Sequence, residues 1–451
     1  MTQLIGTDKQ RVVIGLGKTG YSMATWLAAQ GVPFRVMDTR ADAPYAAQFA
    51  AEQPQVELCL GQWATDWLNS ADEVYVSPGV ALAEPALVSA IAKGAQVVSD
   101  VALYARNTQA PIIAVTGSNG KSTVVTLLGA VAERLGLNAA VAGNIGKPVL
   151  DLMDESHELA ILELSSFQLE MVEHLNARVA MVLNISPDHM DRYEDLAAYR
   201  LAKHRIFNGC DSLVVNADDV LTQPLMSSAR PYMAYSLKRK DIGMLSADVD
   251  AAGIHVFDGL QEVIHWPTLR LKGRHNLQNI LAVLAVAKLM SWPMASVAEA
   301  IAAFTGLPHR CEWVAEQHGV TFVNDSKGTN VGATVAALEG LAPECTGRLH
   351  LLLGGDSKSA DFSPLAAVCQ KLAVAVYTYG RDGASIADAC EKAGVAAMRA
   401  ETMQDALAQA RGHAVAGDWV LLSPACASFD QFANFEARGA AFVQTVLGGA
   451  A

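Results

Sequence analysis

The amino-acid sequence predicts an α/β protein of three domains built on mostly parallel sheets. Three observations carry this reading. Short β-rich runs alternate with longer Ala/Leu-rich helical patterns from end to end, which implies parallel strands with helices on both faces. At roughly 150 residues per domain, 451 residues correspond to about three domains. Half the residues (51%) are hydrophobic and only 18% are charged, enough apolar material for several cores.

The net charge of −13 argues against a general nucleic-acid or anionic-membrane binder. Any anionic ligand must be held in a locally basic pocket. The seven cysteines show no CxxC pair and no histidine at zinc spacing, so reduced, buried thiols are expected. The N-terminus lacks a basic region followed by an apolar one, and the longest apolar run, Ile280–Met290, is too short to span a bilayer. The expectation is a soluble, cytoplasmic enzyme of small molecules with no membrane insertion.

Strands are expected at Arg11–Leu16, Phe34–Met37, Glu73–Ser77, Ile112–Thr116, Leu159–Glu163, Val179–Ile185 and Ser212–Asn216, then at His350–Gly354, Val374–Thr378 and Trp419–Ser423. Helices are expected at Tyr21–Gln30, Ser122–Leu135, Asn276–Met290 and Met403–Arg411. The segment Lys238–Leu271 reads as an inserted set of strands. Breaks near Thr108–Pro111 and Gly306–His309 divide the chain into 1–99, 100–306 and 307–451, with Gly306-Leu307-Pro308 as the hinge.

The first strand runs into Gly15-Leu16-Gly17-Lys18-Thr19-Gly20, and Asp38 closes the next strand. This is the spacing of a dinucleotide fingerprint, and it admits an NAD-dependent oxidoreductase. Its physics is broader, because glycines and a helix N-terminus accommodate any nucleotide diphosphate. A purely structural tight turn is the bland alternative. Asp38-Thr39-Arg40 and Ser77-Pro78-Gly79, after neighbouring strands, would line the same crevice.

A second loop, Thr116-Gly117-Ser118-Asn119-Gly120-Lys121-Ser122-Thr123, lies between a strand and a helix. It departs from the Walker A pattern only in its first position, where Val115 replaces Gly. Its backbone N–H groups form an anion nest, Lys121 reaches the β/γ-phosphates, and Ser122 offers a hydroxyl to Mg²⁺. Two phosphate loops on separate domains imply two nucleotides, which weakens the dehydrogenase reading. Glu163, ending a strand beside this loop, and His189, in Asn184-Ile-Ser-Pro187-Asp188-His189, are then candidate residues of a Mg²⁺ site. Taken in isolation they read as a helix-start carboxylate and a satisfied loop histidine, and Lys203 as an exposed helix lysine.

TGSNGKST, LELSSFQLE, DHMDRY, Arg274-His275-Asn276-Leu-Gln-Asn279, Gly306-Leu-Pro-His309-Arg310 and Asn324-Asp325-Ser326-Lys327 together resemble the Mur ligases of bacterial peptidoglycan synthesis, in order and spacing over essentially the whole chain. The stretches IGLGKTG…VMDTR, GGDSKSADFSPL and SPACASFDQF are similar to the D-glutamate-adding branch. The resemblance implies an N-terminal Rossmann-like domain for a uridine nucleotide, a central P-loop ATPase-type domain and a C-terminal Rossmann-like domain for the amino acid. It implies UDP-N-acetylmuramoyl-L-alanine, D-glutamate and ATP as substrates, two Mg²⁺ ions and a monomer.

Residue by residue, the resemblance assigns Leu16, Gly17, Lys18, Thr19, Asp38, Thr39, Arg40, Ser77, Pro78, Gly79 and Asn144 to the UDP substrate. Gly117, Ser118, Asn119, Gly120, Lys121, Ser122 and Thr123 would hold ATP, with Asn276, Asn279, Arg310, Asp325 and Lys327 enclosing it. Thr329, Lys358, Ser428, Phe429 and Phe435 would receive D-glutamate; for the two phenylalanines core packing is the plain alternative. Ser122, Glu163, His189 and Lys203 would hold the metal, Lys203 as a CO₂-derived carbamate, since a carbamate supplies the hard oxygen ligands that an ammonium lacks. Lys121, His189 and Lys203 are the expected catalytic residues.

Two positions depart from the family pattern. Gly328 stands where Ala is usual, which is expected to loosen the loop beside Lys327, and Ser357 stands where Gly is usual. Other readings stay open from sequence: a ligase adding L-alanine, a diamino acid or a dipeptide, a folate polyglutamylating relative, or a non-catalytic nucleotide-binding regulator.

Overall fold

A computed structural model describes residues 9–190, 192–224, 230–271, 273–357 and 360–448. The first sheet contains β1 (Arg11–Ile14), β2 (Arg35–Asp38), β3 (Leu58–Leu60), β4 (Glu73–Val76) and β5 (Gln96–Val98), all parallel, in the order 3-2-1-4-5. The chain order reverses between β1 and β4. Loops at the carboxyl ends of those two strands therefore splay apart, leaving a crevice.

The second sheet has nine strands: β6 (Ile112–Thr116), β7 (Ala139–Gly143), β8 (Leu159–Glu163), β9 (Val179–Val182), β10 (Ser212–Asn216), β11 (Tyr232–Ser236), β12 (Met244–Asp250), β13 (Gly253–Asp258) and β14 (Gln261–Trp266). Their order is 14-13-12-11-10-9-6-8-7. β12 pairs parallel with β11, and β13 and β14 follow antiparallel. The strands expected as an insertion thus extend the main sheet. β6 sits between β8 and β9, so the loops after all three converge.

The third sheet comprises β15 (Glu312–Gln317), β16 (Val320–Asn324), β17 (Leu349–Gly354), β18 (Ala375–Tyr379), β19 (Ala397–Arg399) and β20 (Trp419–Leu422), in the order 15-16-20-17-18-19 and parallel except for β15. Fully buried strands such as β1, β6, β8, β16 and β17 are continuous apolar or nearly apolar runs, as both-face burial requires. The helix Arg274–Leu289 buries an unbroken run from Asn279 to Ala287 against the central sheet, so its lack of a polar face follows from its position.

The helix Asp100–Asn107 joins the first sheet to the second and packs on the short 3₁₀ segment Val149–Asp154. Ser99 caps it through Ala102 N–H at 3.2 Å. Asp100 is 1% exposed, and neither carboxylate oxygen has a well-formed hydrogen bond. Burial, with a further push from Asp151, raises its pKa to about 6 from the ordinary 3.8. Asp151 itself accepts a hydrogen bond from Ser22 Oγ of the first unit at 2.5 Å. No helix among the described residues is long and apolar enough to cross a membrane.

Because Asp100 binds its proton more tightly in the folded chain than in the unfolded one, its charged form opposes folding. The penalty is absent below the unfolded pKa and grows as pH rises through 6. Asp100→Asn is expected to gain stability at pH 7.5, on the order of 2–3 kcal/mol, and to lose that gain near pH 4. Thermal unfolding of both proteins at the two pH values checks this; equal midpoints at pH 7.5 contradict it.

Candidate functional site

A cavity of about 550 Å³ lies at the β1/β4 crevice. Gly17, Lys18, Thr19, Asp38, Thr39, Arg40, Ser77, Pro78, Gly79 and Asn144 all line it. Leu16 does not. Its side chain is fully buried, and it contributes its backbone N–H to Asp38 Oδ2 at 2.6 Å. The helix starts at Lys18, with Gly17 as N-cap, so its first free N–H groups face the cavity. Gly15 takes φ +87°, and Ser77 Oγ donates to its carbonyl at 2.9 Å. At Gly20 a Cβ would stand 1.7 Å from Gly15 O, whereas one at Gly17 would meet nothing within 4 Å. The glycine pattern therefore serves two purposes: Gly20 permits packing, and Gly17 leaves space for a ligand.

Asp38 decides between the two readings of this loop. Burial alone would raise its pKa, but hydrogen bonds from the Arg40 side chain and from the Leu16 and Arg40 amides outweigh it and hold the carboxyl below its ordinary value. Arg40 N and Nε bond Oδ1, both at 2.9 Å; Arg40 NH2 bonds Oδ2 at 2.7 Å, beside Leu16 N. With two donors already on each oxygen, the carboxylate is poorly placed to grip a ribose diol, as an NAD site requires. The far wall is central: Gly143, Asn144, Gly146, Pro148 and Gln168. Lys18 Nζ donates to Gly146 O at 2.5 Å, and Arg192 NH1 donates to Pro78 O at 2.9 Å while its NH2 bonds Glu170. Arg192, which was not expected from sequence, ties the Ser77–Gly79 loop to the central unit.

The second loop follows β6 and ends at the helix Lys121–Arg134, whose N-cap Gly120 has φ +83°. A Cβ at Gly120 would lie 2.4 Å from Asn279 Oδ1, so the strand–loop–helix turn and the helix bearing Asn276 and Asn279 meet only because that residue is glycine. Asn184 grips the loop at both ends of its amide: Asn119 N donates to its Oδ1 at 2.8 Å, and its Nδ2 donates to Asn119 O at 3.1 Å. Ser118 Oγ donates to Ser186 O and accepts from Ser186 N, each at 2.9 Å.

Cations gather underneath. Lys121 Nζ donates to Gly117 O at 2.8 Å and Ser118 O at 3.0 Å. Lys203 Nζ, in a residue 2% exposed, donates to Gly117 O at 3.0 Å and lies 4.5 Å from the Tyr199 ring centre. Burial, then the neighbouring Lys121, holds the Lys203 amine well below the ordinary lysine pKa, against the opposing pull of Asp188 and Glu163. Burial also lowers Lys121 and Arg310. Arg310 NH2 donates to Ser122 Oγ at 2.6 Å across the boundary with the C-terminal unit.

Glu163 is 1% exposed. Oε1 accepts from Asn144 Nδ2 at 2.9 Å, and Oε2 is a buried oxygen with no hydrogen-bond partner. An orphaned carboxylate oxygen among lysines and a serine hydroxyl fits a hard divalent cation. His189 takes φ +58°, with its Nε2 3.8 Å from Asp188 Oδ2 and its ring edge-on to Phe167. Among the described residues no group of three or more His, Cys, Asp or Glu side chains is arranged to hold a metal. Any ion here must draw on Ser122, Lys203 or ligand oxygens as well.

Above the loop, a cavity of about 300 Å³ is lined by Asn119, Gly120, Thr123, Asn276, Asn279, Arg310, Asp325 and Lys327, with Asn184 and His275 beside them. Gly117, Ser118, Lys121 and Ser122 do not line it. Burial raises Asp325 to about 6 and lowers Lys327 to about 8. Asp325 Oδ2 accepts from Ser423 Oγ at 2.6 Å. A Cβ at Gly328 would be 2.6 Å from that same oxygen. Gly328 does not use a left-handed φ, so its role is to leave room for the Asp325–Ser423 bond, not to add freedom.

The remaining set is not gathered. Thr329, Ser428, Phe429 and Phe435 line neither cavity, and Lys358 lies outside the described residues. Ser428 is buried, while Phe429 is 69% exposed, against the core-packing alternative. Phe435 sits under Lys327, whose Nζ is 3.7 Å from the ring centre. Gly306 takes φ +91°, and Gly306–Pro308 line a cavity of about 260 Å³ together with Trp313 and Trp419, which meet edge to face.

Comparison with known proteins gives three family matches along the chain. Residues 9–99 match the MurD-like N-terminal domain of Mur ligases, 115–287 the Mur ligase middle domain, and 309–426 the Mur ligase glutamate ligase domain. The UDP-N-acetylmuramoylalanine–D-glutamate ligase of Pseudomonas aeruginosa is 48% identical over 446 residues, covering 98% of this chain and 99% of that protein. The enzyme of the same name from Hahella chejuensis is 45% identical over 443 residues. In fold, the chain is similar to UDP-N-acetylmuramate-alanine ligase from Thermotoga maritima, with TM-score 0.62 and 17% identity over 98% of this chain and all of that one. It is also similar to MurF from Acinetobacter baumannii, with TM-score 0.61 and 15% identity over 96% of this chain and 93% of that one.

The two glycines of the first loop separate packing from binding. Gly20→Ala must displace backbone and is expected to lower stability by about 2 kcal/mol or more, whereas Gly17→Ala is expected to unfold within about 0.5 kcal/mol of the parent. Denaturant unfolding of both variants checks the contrast; equal losses contradict it.

Proposed function

The chain belongs to the Mur ligase family, and from that premise we propose that it joins D-glutamate to UDP-N-acetylmuramoyl-L-alanine at the expense of ATP, in the cytoplasmic synthesis of peptidoglycan precursors. One observation carries the reading. Asn144 lines the first cavity and donates to Glu163, whose charge acts on Lys121 of the second loop, so one hydrogen bond links the wall of the proposed uridine-nucleotide site to the carboxylate that faces the proposed ATP loop. The assignment of the two nucleotides to these cavities, the division at residues 99 and 306, and a monomeric state are parts of this proposal. The three separate sheets support the division.

Joining a carboxylate to an amine in water requires an activated acyl group. In the proposed sequence the L-alanyl carboxylate attacks the γ-phosphorus of ATP, ADP leaves, and an acyl phosphate forms. The amine of D-glutamate then attacks the acyl carbon, and the tetrahedral intermediate expels phosphate. Ser122, Glu163, His189 and Lys203, the last as its carbamate, would hold Mg²⁺, as two ions in this proposal, and the metal would supply charge neutralisation between the two anionic reactants.

The chain's own groups do the rest. Lys121 puts positive charge on the transferring phosphoryl group. The N–H groups of Gly117–Thr123 hold the phosphates, and Arg310 and Lys327 approach from the C-terminal unit. Burial favours a neutral Lys203 amine, the form that reacts with CO₂, and the carbamate turns a cation into an anion facing Lys121. His189 serves as a ligand rather than as the base toward the incoming ammonium. Thr329, Lys358, Ser428, Phe429 and Phe435 receive D-glutamate; a lysine and a hydroxyl suit its two carboxylates. Closing the C-terminal unit excludes water from the acyl phosphate.

Two measurements test this. Phosphate release from ATP is expected to require both UDP-N-acetylmuramoyl-L-alanine and D-glutamate, with acyl phosphate trapped on the UDP substrate when D-glutamate is omitted; release driven equally by L-alanine or a diamino acid overturns the assignment. Lys203→Ala is expected to cut turnover by about a hundredfold or more while most of the protein stays folded, and to lack the added mass of CO₂ expected on the parent protein under non-acidic conditions. Near-parent turnover rejects the carbamate.

A further inference from the structure

One side chain that none of these roles absorbs stands where the C-terminal unit meets the phosphate loop. Asn330 is the N-cap of the helix Val331–Leu341: its Oδ1 accepts from Ala333 N at 2.8 Å. The other half of the same amide points across the boundary. Nδ2 donates to Asp188 Oδ2 at 3.1 Å and is 3.4 Å from Asn119 Oδ1. The residue is 9% exposed. An amide suits this position because it offers an acceptor to one side and donors to the other. Serine or aspartate would cap the helix equally well but could not make both contacts.

The surroundings are shaped for this approach. A Cβ at Gly332, in the first turn of the same helix, would lie 2.7 Å from Ser186 Oγ, so the helix start can descend on the 184–188 segment only without a side chain there. That segment holds the phosphate loop through Asn184 and Ser186 and carries Asp188 next to His189. Further along the helix, a Cβ at Gly340 would lie 2.7 Å from His275 Nδ1 of the central unit.

We propose that Asn330 is a positioning residue, a latch that couples docking of the C-terminal unit to the placement of Asn119 and of the Asp188–His189 pair. When the unit swings away, the Nδ2 contacts break while the cap on Ala333 N remains, so opening costs the helix nothing. When it closes, one amide fixes the loop over the nucleotide and the carboxylate beside the proposed metal ligand. The inference rests on the ligase reading for its kinetic consequence, but not for the docking itself.

The test uses Asn330→Ser and Asn330→Asp in the full chain. Both keep a cap acceptor and remove the donor, and Asn330→Asp adds a charge facing Asp188. Unfolding midpoints are expected to stay close to the parent. Affinity for ATP alone is expected to change by less than about threefold, while kcat falls about tenfold or more in Asn330→Ser and further in Asn330→Asp, as for the loss of a hydrogen bond to a charged group. Small-angle scattering with ATP and the UDP substrate is expected to show the compact form weakened in both. Parent-like kcat and compaction in both variants overturn the latch, as does a kcat loss matched by an equal loss of folded protein. If the parent itself lacks ligase turnover, the function fails, while scattering still reads the latch.

Discussion

A cluster of buried basic side chains organises this protein. Lys121 and Lys203 both donate to Gly117 O, and Arg310 reaches Ser122 in the same loop, with Glu163 and Asp188 as the counter-charges that act on the two lysines. Like charges held this close in an apolar interior oppose folding unless anions join them. The site is therefore most comfortable when phosphate is present, and a chain of net charge −13 offers a polyanion a place here by concentrating cations around one loop. The reversals of strand order in the first two sheets supply the concavity, and the segments that cross between units supply the walls.

The same economy explains why the two cavities differ. In the first, the charged groups are largely satisfied by one another, as Asp38 is by Arg40. The second also lies between two units, but its groups carry perturbed proton affinities: burial raises Asp325 to about 6 and lowers Lys327 to about 8. Perturbation concentrates where chemistry is proposed and is smaller where binding alone is needed.

Much of this was legible in the sequence, for identifiable reasons. The strands that carry loops are both-face buried and therefore read as short apolar runs; Ile112–Thr116, Leu159–Glu163 and Ser212–Asn216 were placed to the residue. β7, Ala-Ala-Val-Ala-Gly, was missed because alanine favours helix, and its strand state is set by pairing with β8. β3 and β19 are three-residue partly exposed edges with little pattern to read. Glycine-loop residues declared themselves by spacing. Asn184, Asn330 and Arg192 did not, since their work is to bridge segments far apart in sequence; the only local signal for Asn330 was an N-cap residue ahead of a helix. The amino-acid-binding set remains an assignment by resemblance, since its described members line neither cavity.

The tryptophan pair at Gly306–Pro308 has a practical consequence. Trp419 is nearly enclosed, whereas Trp313, packed edge-on against it, is 54% exposed. An indole held half in water and half against a neighbour emits according to how much of each it sees. Both rings belong to the third sheet and would move together, but Arg270, Leu271 and Asn276 of the central unit line the same cavity, so rotation at that joint would change how much water Trp313 sees, giving the molecule a built-in optical gauge of its own movement without any attached dye.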